Sequence, residues 1–236
     1  MIGDKPVLLD LFCCAGGASM GYYRAGFQPY GIDNKPQRHY PFPFLQMDAM
    51  EAMDRLLRGE GLTFSNGGCL YLSDFDVYHA SPPCQPWGRM RKLNYAQGVA
   101  RDYPELVNPI RKRLKETDKL YVIENTPGAP LIEPIMLCGS SFDLLVRRHR
   151  IFEMNFEVFG QPCAHNREVQ DKPPLHRLTG KSRVVGCYGH GRGKGDNKAL
   201  WSKAMGITWM TRTELSQAIP PAYTHFIGNQ TIQIIK

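Results

Sequence analysis

The segment from Ser81 to Trp87 contains the cysteine that is best placed for chemistry. It reads Ser-Pro-Pro-Cys-Gln-Pro-Trp and follows a candidate strand over 75–80. Two prolines directly before Cys84 restrict the backbone and hold the thiol in one direction. A cysteine acts as a nucleophile when its thiolate is stabilised and accessible. Taken alone, however, such a cysteine is more often a structural residue, so this interpretation needs support from elsewhere in the chain.

Other candidate residues follow predicted strands. An apolar run over 7–12 predicts the first strand, and further strands are predicted over 29–32, 44–47, 75–80 and 120–123. The last four are followed by polar or reactive residues, namely Asp33, Asp48, Cys84 and Glu124. Helices are predicted over 20–25 and 49–58, and after Pro104, which suits a first helical turn and precedes the apolar stripe Leu106, Ile110 and Leu114. This alternation predicts a parallel α/β sheet, whose ligands bind at the carboxyl ends of the strands.

The basic residues are concentrated in one segment. The chain has 236 residues and a net charge of +7, which favours a polyanionic partner only weakly. Residues 160–205 are rich in Pro, Gly and His and carry nine Lys/Arg against three Asp/Glu. We therefore predict a catalytic domain formed by 1–159 and 206–236, with 160–205 as a small basic recognition region.

The cysteines indicate a reducing environment. There are seven, an odd number, and neither a signal peptide nor a stretch approaching the roughly 18 apolar residues of a membrane span is recognisable. We expect free thiols in the cytoplasm of a bacterial or phage-infected cell, near the nucleoid. Cys163, His165, Cys187 and His190 contain metal-ligand residue types, but Cys-x-His is poor spacing, so no metal is predicted.

Six motifs, in order, resemble the cytosine carbon-5 DNA methyltransferases, and they span nearly the whole chain. The Pro-Cys-Gln of 83–85 resembles the catalytic motif of that family. The other five are the cofactor loop over 10–17, the acids Asp33 and Asp48, Glu124-Asn125, Arg148-His149-Arg150, and the closing motif from Ile219 to Asn229. The short chain and the Arg-His-Arg-Ile-Phe-Glu sequence resemble stand-alone enzymes encoded by bacteriophages.

The resemblance implies a doubly wound α/β sheet that binds S-adenosylmethionine, with a small, irregular target-recognition region. It also implies that Cys84 adds to carbon 6 of a flipped cytosine, while Glu124 holds or protonates ring nitrogen 3. Arg148 and Arg150 are expected to hold the carbonyl oxygen of the base and a flanking phosphate. A carboxyl with the role of Glu124 needs a raised pKa, which a closed and partly apolar pocket supplies.

The cofactor contacts are also implied by the resemblance. Asp33 is expected to bind the ribose hydroxyls and Asp48 the adenine amino group. The remaining contacts are Phe12, Ala15, Gly16, Gly17 and Asn229. The loop lacks the Gly-x-Gly-x-x-Gly pattern of nicotinamide-binding proteins. The chain departs from the family pattern at Cys14, where a glycine is usual, and at Trp87 and Val146, where Phe and Gln are usual.

The expected partner is double-stranded DNA, bound by a monomer without an obligate protein partner. Candidate DNA contacts lie in a basic loop after Cys84, which is also a candidate lid, and in the 160–205 segment. They are Gln85, Arg89, Arg91, Arg177, Lys181, Arg192 and Lys194. A recognition region this small predicts a target of roughly two to four base pairs, such as a GC or CG dinucleotide.

Three alternatives remain open. One branch of the family methylates tRNA, although the Cys-Phe-Thr signature associated with it is absent here. A second alternative is an inactive homologue that only occupies DNA, against which the intact Cys84, Glu124, Arg148 and Arg150 argue. A third is an enzyme that transfers a group larger than methyl, which the departure at Cys14 permits without supporting.

Overall fold

The computed structural model describes residues 5–87, 103–164, 184–187 and 198–235. The strands are β1 (Val7–Leu11), β2 (Gln28–Asp33), β3 (Phe44–Gln46), β4 (Leu62–Thr63), β5 (Cys69–Leu70), β6 (Val77–Ala80), β7 (Leu120–Asn125), β8 (Ile135–Leu137) and β9 (Arg150–Met154). The helices are α1 (Gly17–Arg24), α2 (Ala49–Leu57), α3 (Val107–Glu116), α4 (Lys198–Met205), α5 (Arg212–Gln217) and α6 (Pro221–Ile235). Short 3-10 turns occupy Leu72–Asp74 and Gly139–Phe142.

A seven-stranded sheet organises the described chain, in the order β3-β2-β1-β6-β7-β9-β8. The first five strands of this order are mutually parallel, whereas β9 runs antiparallel to both β7 and β8. Taken in chain order, the five parallel strands have the 3-2-1-4-5 arrangement of a doubly wound sheet. The predicted α/β class is therefore confirmed. β4 and β5 form a separate antiparallel pair.

The sheet is buried on both faces because its strands are apolar at successive positions. In β1, Leu9 and Leu11 join a core cluster that includes the apolar sides of α2 and α3. Leu8 points to the other face and joins a cluster formed with α1 and α6. Continuous apolar strands of this kind are typical of parallel sheets covered by helices on both sides. The structure confirms all five predicted strands, although β6 begins at Val77, two residues later than expected.

Two helix starts differ from the sequence prediction. The helix predicted to begin at Pro104 begins at Val107, and Pro109 is the proline in its first turn. A proline is tolerated there because the first turn leaves backbone N–H groups without intrahelical acceptors. One of these groups, Asn108 N, donates to the Glu105 carboxylate at 3.4 Å. The first helix begins at Gly17 and not at 20, and Gly16, in a left-handed conformation (φ 80°), is its N-cap residue.

Two glycines allow α1 to pack directly on α6. A Cβ at Gly17 would lie 2.4 Å from the carbonyl oxygen of Ile219, and one at Gly21 would lie 2.0 Å from Thr224 Oγ1. Thr224 Oγ1 instead donates to the carbonyl of Ala18 at 2.8 Å. Backbone contact of this closeness is available only to glycine, so these residues fix where the chain after 219 meets the first helix.

The described parts of the 160–205 segment contribute to a third core cluster. Val185, Cys187 and the α4 residue Trp201 are buried with Val146 and with Ala15 of the loop after β1. The described parts of the predicted recognition region thus pack on the loop after β1 and on Val146 through apolar contacts, and the boundaries of the region stay a prediction. Among the described residues, no helix combines the length and the apolar composition that a membrane crossing requires.

A buried ion pair fastens α3 to β9. Arg111 donates from Nε and Nη2 to the two carboxylate oxygens of Glu153, each at 2.7 Å, and both side chains are more than nine-tenths buried. Glu153 also accepts from Ile132 N at 2.8 Å, and Arg111 donates to the Pro130 carbonyl. Removing one partner of such a pair leaves an uncompensated buried charge.

We therefore expect Arg111→Ala to lower the free energy of unfolding by roughly 3–5 kcal/mol. Arg113 on the same helix makes a comparable bidentate contact with Asp54, but the carboxylate there is 41% exposed. Arg113→Ala is the matched control and should cost less than about 1 kcal/mol. Urea denaturation of the three proteins measures both values. Equal losses in the two variants would contradict the role given to the Arg111–Glu153 pair.

Candidate active site

A cavity of about 420 Å³ lies at the carboxyl ends of β1, β2, β6 and β7. It is found where the strand order reverses between β1 and β6, which is the ligand position of doubly wound sheets. The cavity is lined by nine of the predicted site residues, which are Phe12, Ala15, Gly17, Asp33, Asp48, Cys84, Gln85, Glu124 and Arg150. The fold thus brings most of the proposed catalytic and cofactor-binding residues to one place.

The loop that carries Cys84 is held from both sides. Ser81 N donates to the Leu11 carbonyl at 3.2 Å, which continues the pairing of β6 with β1. Asn125, buried at the end of β7, donates from Nδ2 to the Pro82 carbonyl at 3.0 Å. Trp87 N closes a turn on the Cys84 carbonyl at 3.1 Å. These bonds, together with the two prolines, present the half-buried thiol to the cavity.

The Glu124 carboxyl is buried beside a guanidinium. Arg150 on β9 places its Nε 2.9 Å from Glu124 Oε1, and both side chains are mostly buried. The two atoms are close but do not form a hydrogen bond, since Glu124 Oε1 has no hydrogen-bond partner among the described residues. Burial raises the pKa of Glu124, while Arg150, a hydrogen bond from Ser81 and Arg148 oppose the rise. The carboxyl can therefore hold a proton more readily than a surface glutamate can.

The pKa of the Cys84 thiol is also set by burial acting against neighbouring positive charges. Burial raises its pKa, and the nearby Glu124 raises it further. The positive charges of Arg150 and Arg148 act in the opposite direction. Before substrate binds, Cys84 is consequently a thiol and not a preformed thiolate, and Arg150 is the principal group that favours its ionisation.

A buried chain of polar groups, which the sequence analysis did not identify, lies behind Glu124. Tyr22 Oη is 3.1 Å from His79 Nδ1, and His79 Nε2 is 2.9 Å from Ser81 Oγ. A neutral imidazole has one N–H, so one of these two ring nitrogens donates and the other accepts. Burial lowers the pKa of His79 to about 3 and keeps the ring neutral. A histidine near the end of the predicted strand over 75–80 was the available signal.

Arg148 differs from Arg150 in its surroundings. Its guanidinium is buried and donates to the carbonyls of Cys187 at 3.0 Å and Ser216 at 2.7 Å. Tyr223 Oη donates to the Arg148 carbonyl at 2.8 Å, and the residue has a positive φ of 26°. Arg148 is not among the described residues that line the cavity. It ties the segment at 184–187 to α5 and acts on the cavity through its charge.

The loop between β1 and α1 has an unusual backbone. Phe12 (φ 60°), Cys14 (φ 46°) and Gly16 (φ 80°) all lie in the left-handed region. A glycine at position 14 would adopt this conformation freely. Cys14, which stands where the resembled family usually has glycine, adopts it at some cost in strain. A Cβ at Gly16 would lie 2.9 Å from Pro41 Cδ. Trp209 fixes the loop by donating from Nε1 to the Ala15 carbonyl at 2.8 Å.

The two predicted cofactor acids line the cavity and also have structural partners. Asp33 Oδ2 accepts from Cys14 N at 3.0 Å, and Oδ1 accepts from Lys35 N at 2.9 Å. Asp48 caps α2 by accepting from Met50 N and Glu51 N with Oδ1. Asp48 thus caps α2 and lines the cavity at the same time.

Asp10 is a further acid in the cavity to which the sequence analysis gave no role. It is completely buried and accepts a hydrogen bond from Ser19 Oγ, which lies 2.8 Å from Tyr40 Oη. Burial raises the pKa of Asp10 to about 7, and its Oδ1 has no partner among the described residues. Its signal in the sequence was a charge in the middle of a buried strand.

The remaining predicted residues lie elsewhere. Asn229 is exposed on α6, 3.3 Å from His225 Nε2, and Gly16 shapes the loop without lining the cavity. The candidate DNA contacts other than Gln85 lie outside the described residues, as does the candidate lid. They are Arg89, Arg91, Arg177, Lys181, Arg192 and Lys194.

Comparisons with known proteins bear on the fold. No family model matches the chain, and no curated protein matches it in sequence. Among solved structures, the Entamoeba histolytica methyltransferase EhMeth (TM-score 0.52) and the S. pombe Dnmt2 methyltransferase (TM-score 0.51) are each 12% identical. Both alignments cover 99% of this chain, and they cover 99% and 100% of the other chains, respectively.

A third structure is described as a DNA modification methyltransferase encoded within an E. coli prophage. It is 19% identical with a TM-score of 0.41, and the alignment covers 64% of this chain but only 46% of that protein. The mostly parallel seven-stranded sheet is similar to the fold of the EhMeth and Dnmt2 methyltransferase structures. The fold class that the motif resemblance implied is thereby confirmed.

The electrostatic influence of Arg150 on Cys84 is directly testable. We expect the rate of Cys84 alkylation by iodoacetamide to rise with pH through a pKa above that of an ordinary thiol. Arg150→Ala removes a neighbouring cation, raises this pKa further, and should slow alkylation at pH 8 roughly threefold to tenfold. Mass spectrometry of the peptide containing Cys84 measures the rate. Arg150→Lys, which keeps the charge, should stay close to wild type, and a slower Arg150→Lys than Arg150→Ala would refute the explanation.

Proposed function

We propose that this protein methylates carbon 5 of cytosine in DNA, with S-adenosylmethionine as the methyl donor and Cys84 as the nucleophile. The observation that carries the proposal is that Cys84, Glu124 and Arg150 line one cavity together with the acids Asp33 and Asp48. A nucleophile, a carboxyl with a raised pKa and a cation are the groups needed to activate a pyrimidine ring.

Cys84 would supply electrons to the pyrimidine ring at carbon 6, and Glu124 would supply a proton to the ring at nitrogen 3. The thiol of Cys84 loses its proton and bonds to carbon 6, which pushes the electrons of the 5,6 double bond toward carbon 5. Glu124 donates its proton to nitrogen 3, so no full negative charge builds up on the ring. Carbon 5 would then bond to the methyl group that bound S-adenosylmethionine supplies, while the methyl–sulfur bond breaks and leaves its electrons on sulfur. The carbon-5 proton would pass to water, Cys84 would be expelled and regain a proton, and Glu124 would recover the proton from nitrogen 3. The burial that raises the pKa of Glu124 suits this donor role.

The two arginines would have different roles. Arg150 is beside Glu124 in the cavity, where its remaining N–H groups can hold the carbonyl oxygen of the base. Arg148 is engaged by two backbone carbonyls, and we assign it the positioning of 184–187 against α5. The phosphate contact that the family resemblance implies for this pair stays a prediction.

The residues in the cavity fit S-adenosylmethionine. When bound, the cofactor supplies an electrophilic methyl group on a positively charged sulfur. Asp33 would accept from the ribose hydroxyls, Asp48 from the adenine amino group, and Phe12 would pack on the adenosine. The buried Asp10 has an unpaired oxygen in the lining, which suits a cationic ligand better than a phosphate-bearing one. Gly16 and Gly17 keep the backbone of the loop free of side chains.

The proposed substrate is double-stranded DNA with a flipped target base. A cytosine inside the duplex is out of reach of a nucleophile at the bottom of a cavity, so the base must leave the stack. The basic segment 160–205 supplies cations for phosphate contacts, with Arg177, Lys181, Arg192 and Lys194 as candidates. A short target of roughly two to four base pairs, such as GC or CG, fits one small reading module.

Expression in cells that lack cytosine methylation tests the proposal. Base-resolution sequencing should find 5-methylcytosine in one short sequence context, and Cys84→Ala should abolish it. Cys69→Ser changes an exposed cysteine on β5 and should leave the modification intact. Modification of tRNA without DNA would favour the RNA alternative, and modification of neither would favour a binding protein. A defined six-base site would overturn the expected target length.

The covalent step has a signature of its own. DNA with 5-fluorocytosine at the target position should form a complex that survives denaturation, because fluorine cannot leave carbon 5 as a proton does. Cys84→Ser should not form it. Glu124→Gln should form it about 10²–10⁴ times more slowly while still binding DNA, since it lacks the proton for nitrogen 3. Electrophoresis under denaturing conditions follows the adduct. Rapid trapping by Glu124→Gln would contradict the role given to this carboxyl.

A further inference from the structure

Cys138, His149 and Cys163 form a cluster outside the candidate active site. Their Sγ and ring nitrogen atoms all lie within 4.8 Å of one another. Cys138 follows β8 and is buried, His149 immediately precedes β9, and Cys163 is on the segment after β9. These residues come from three separate parts of the chain, so the cluster is a product of the tertiary fold.

The distances are close to those of a tetrahedral zinc centre. With Zn–S of about 2.3 Å and Zn–N of about 2.0–2.1 Å, a sulfur and a nitrogen ligand of one zinc ion lie about 3.5 Å apart, and two sulfurs about 3.8 Å. His149 Nε2 is 3.3 Å from Cys163 Sγ. The other two distances among these three ligand atoms are at most 4.8 Å, so they would have to shorten by about one ångström at most to match a zinc centre. A rotation of one cysteine side chain supplies such a change.

We propose that Cys138, His149 and Cys163 bind a zinc ion, with a water molecule or another small donor in the fourth position. Two thiolates and an imidazole are the ligands that zinc favours, whereas Mg²⁺ and Ca²⁺ favour oxygen. The proposal departs from the sequence-based expectation that no metal is bound. It does not depend on the proposed methyl transfer.

The surroundings tolerate the loss of the thiol protons. Each cysteine releases one proton when it binds zinc, and the two negative charges balance the ion. Cys138 Sγ now donates to the Arg147 carbonyl at 3.0 Å. That carbonyl also accepts from Gly139 N at 2.9 Å, so it keeps a partner when the thiol proton leaves. Ser140 Oγ lies 3.1 Å from Cys138 Sγ and can donate to the thiolate.

The site would fasten the entrance to the predicted recognition region. The segment at 161–164 is already held to the 3-10 turn after β8, because Ser141 Oγ donates to the Pro162 carbonyl at 2.6 Å and Ala164 N donates to Ser140 Oγ at 3.2 Å. A zinc ion would add stronger bonds at the same place and connect them to His149, which lies between Arg148 and Arg150. Cys187, which the sequence grouped with Cys163, is instead buried against Trp201 in another cluster.

Metal analysis of the purified protein tests the site. The full chain is purified without a histidine tag or chelator, under a phosphine reductant, and its metals are measured by plasma mass spectrometry. We expect about one zinc per chain, reduced at least fivefold in Cys138→Ser and in Cys163→Ser. Cys69→Ser is the matched control for the loss of one cysteine and should retain the zinc. Wild-type protein without zinc, or equal zinc in all variants, overturns the proposal.

A measurement on the wild-type protein guards against variants that fail to fold. Metal-free protein titrated with Co²⁺ should reach saturation at one equivalent, with thiolate-to-cobalt charge-transfer absorption and the visible bands of a tetrahedral centre. Added Zn²⁺ should displace these bands stoichiometrically. Octahedral cobalt spectra without charge transfer would refute thiolate ligation. A disulfide between Cys138 and Cys163 in the freshly reduced, metal-free protein, found by peptide mass spectrometry, would also count against a metal site.

Discussion

The parallel pairing of β1 with β6 determines where everything else in the site lies. The chain runs from β1 through β2 to β3 on one side, then crosses to β6 on the other, so a crevice opens where the two directions diverge. The loop after β1 and the loop after β6 both end in this crevice, and Ser81 N binds the Leu11 carbonyl there. The nucleophile and the proposed cofactor acids are consequently neighbours, although the sequence separates them widely.

Within this crevice, burial and charge act against each other. Burial raises the pKa of Cys84 and of Glu124, which favours the neutral form of both. Arg150 opposes the shift at each residue, because it lies beside the carboxyl and near the thiol. Neutral Glu124 suits proton donation, but a nucleophilic Cys84 must ionise. One guanidinium therefore influences both groups, and its position on antiparallel β9 makes that strand part of the chemistry.

Behind the cavity, a shell of polar contacts maintains these positions. Asn125 holds the loop of Cys84, the neutral His79 contacts Ser81, and Arg148 joins backbone carbonyls at 187 and 216. The proposed zinc site would add a link next to Arg148, at the entrance to the basic segment. Rigid support of this kind matters because reacting groups must be held within a fraction of an ångström.

The amino-acid sequence by itself determined the strands, the α/β class and the candidate reacting groups. Apolar runs, proline before Cys84 and acids after strands are local patterns, and a local pattern is readable without coordinates. The helix start at Val107 was misjudged because Pro104 was assigned to the first helical turn, which Pro109 occupies instead. The fold also decided that Arg148 faces carbonyls while Arg150 faces Glu124, a difference that the motif Arg-His-Arg does not contain.

Asp10 and His79 were likewise overlooked, since their importance comes from burial beside Ser19 and Ser81 and not from any spacing along the chain. The grouping of Cys163 with Cys138 and His149 has the same origin. Residue types and short spacings are properties of the sequence. Burial, pKa and metal-ligand geometry depend on which distant segments come into contact, and only the tertiary structure decides that.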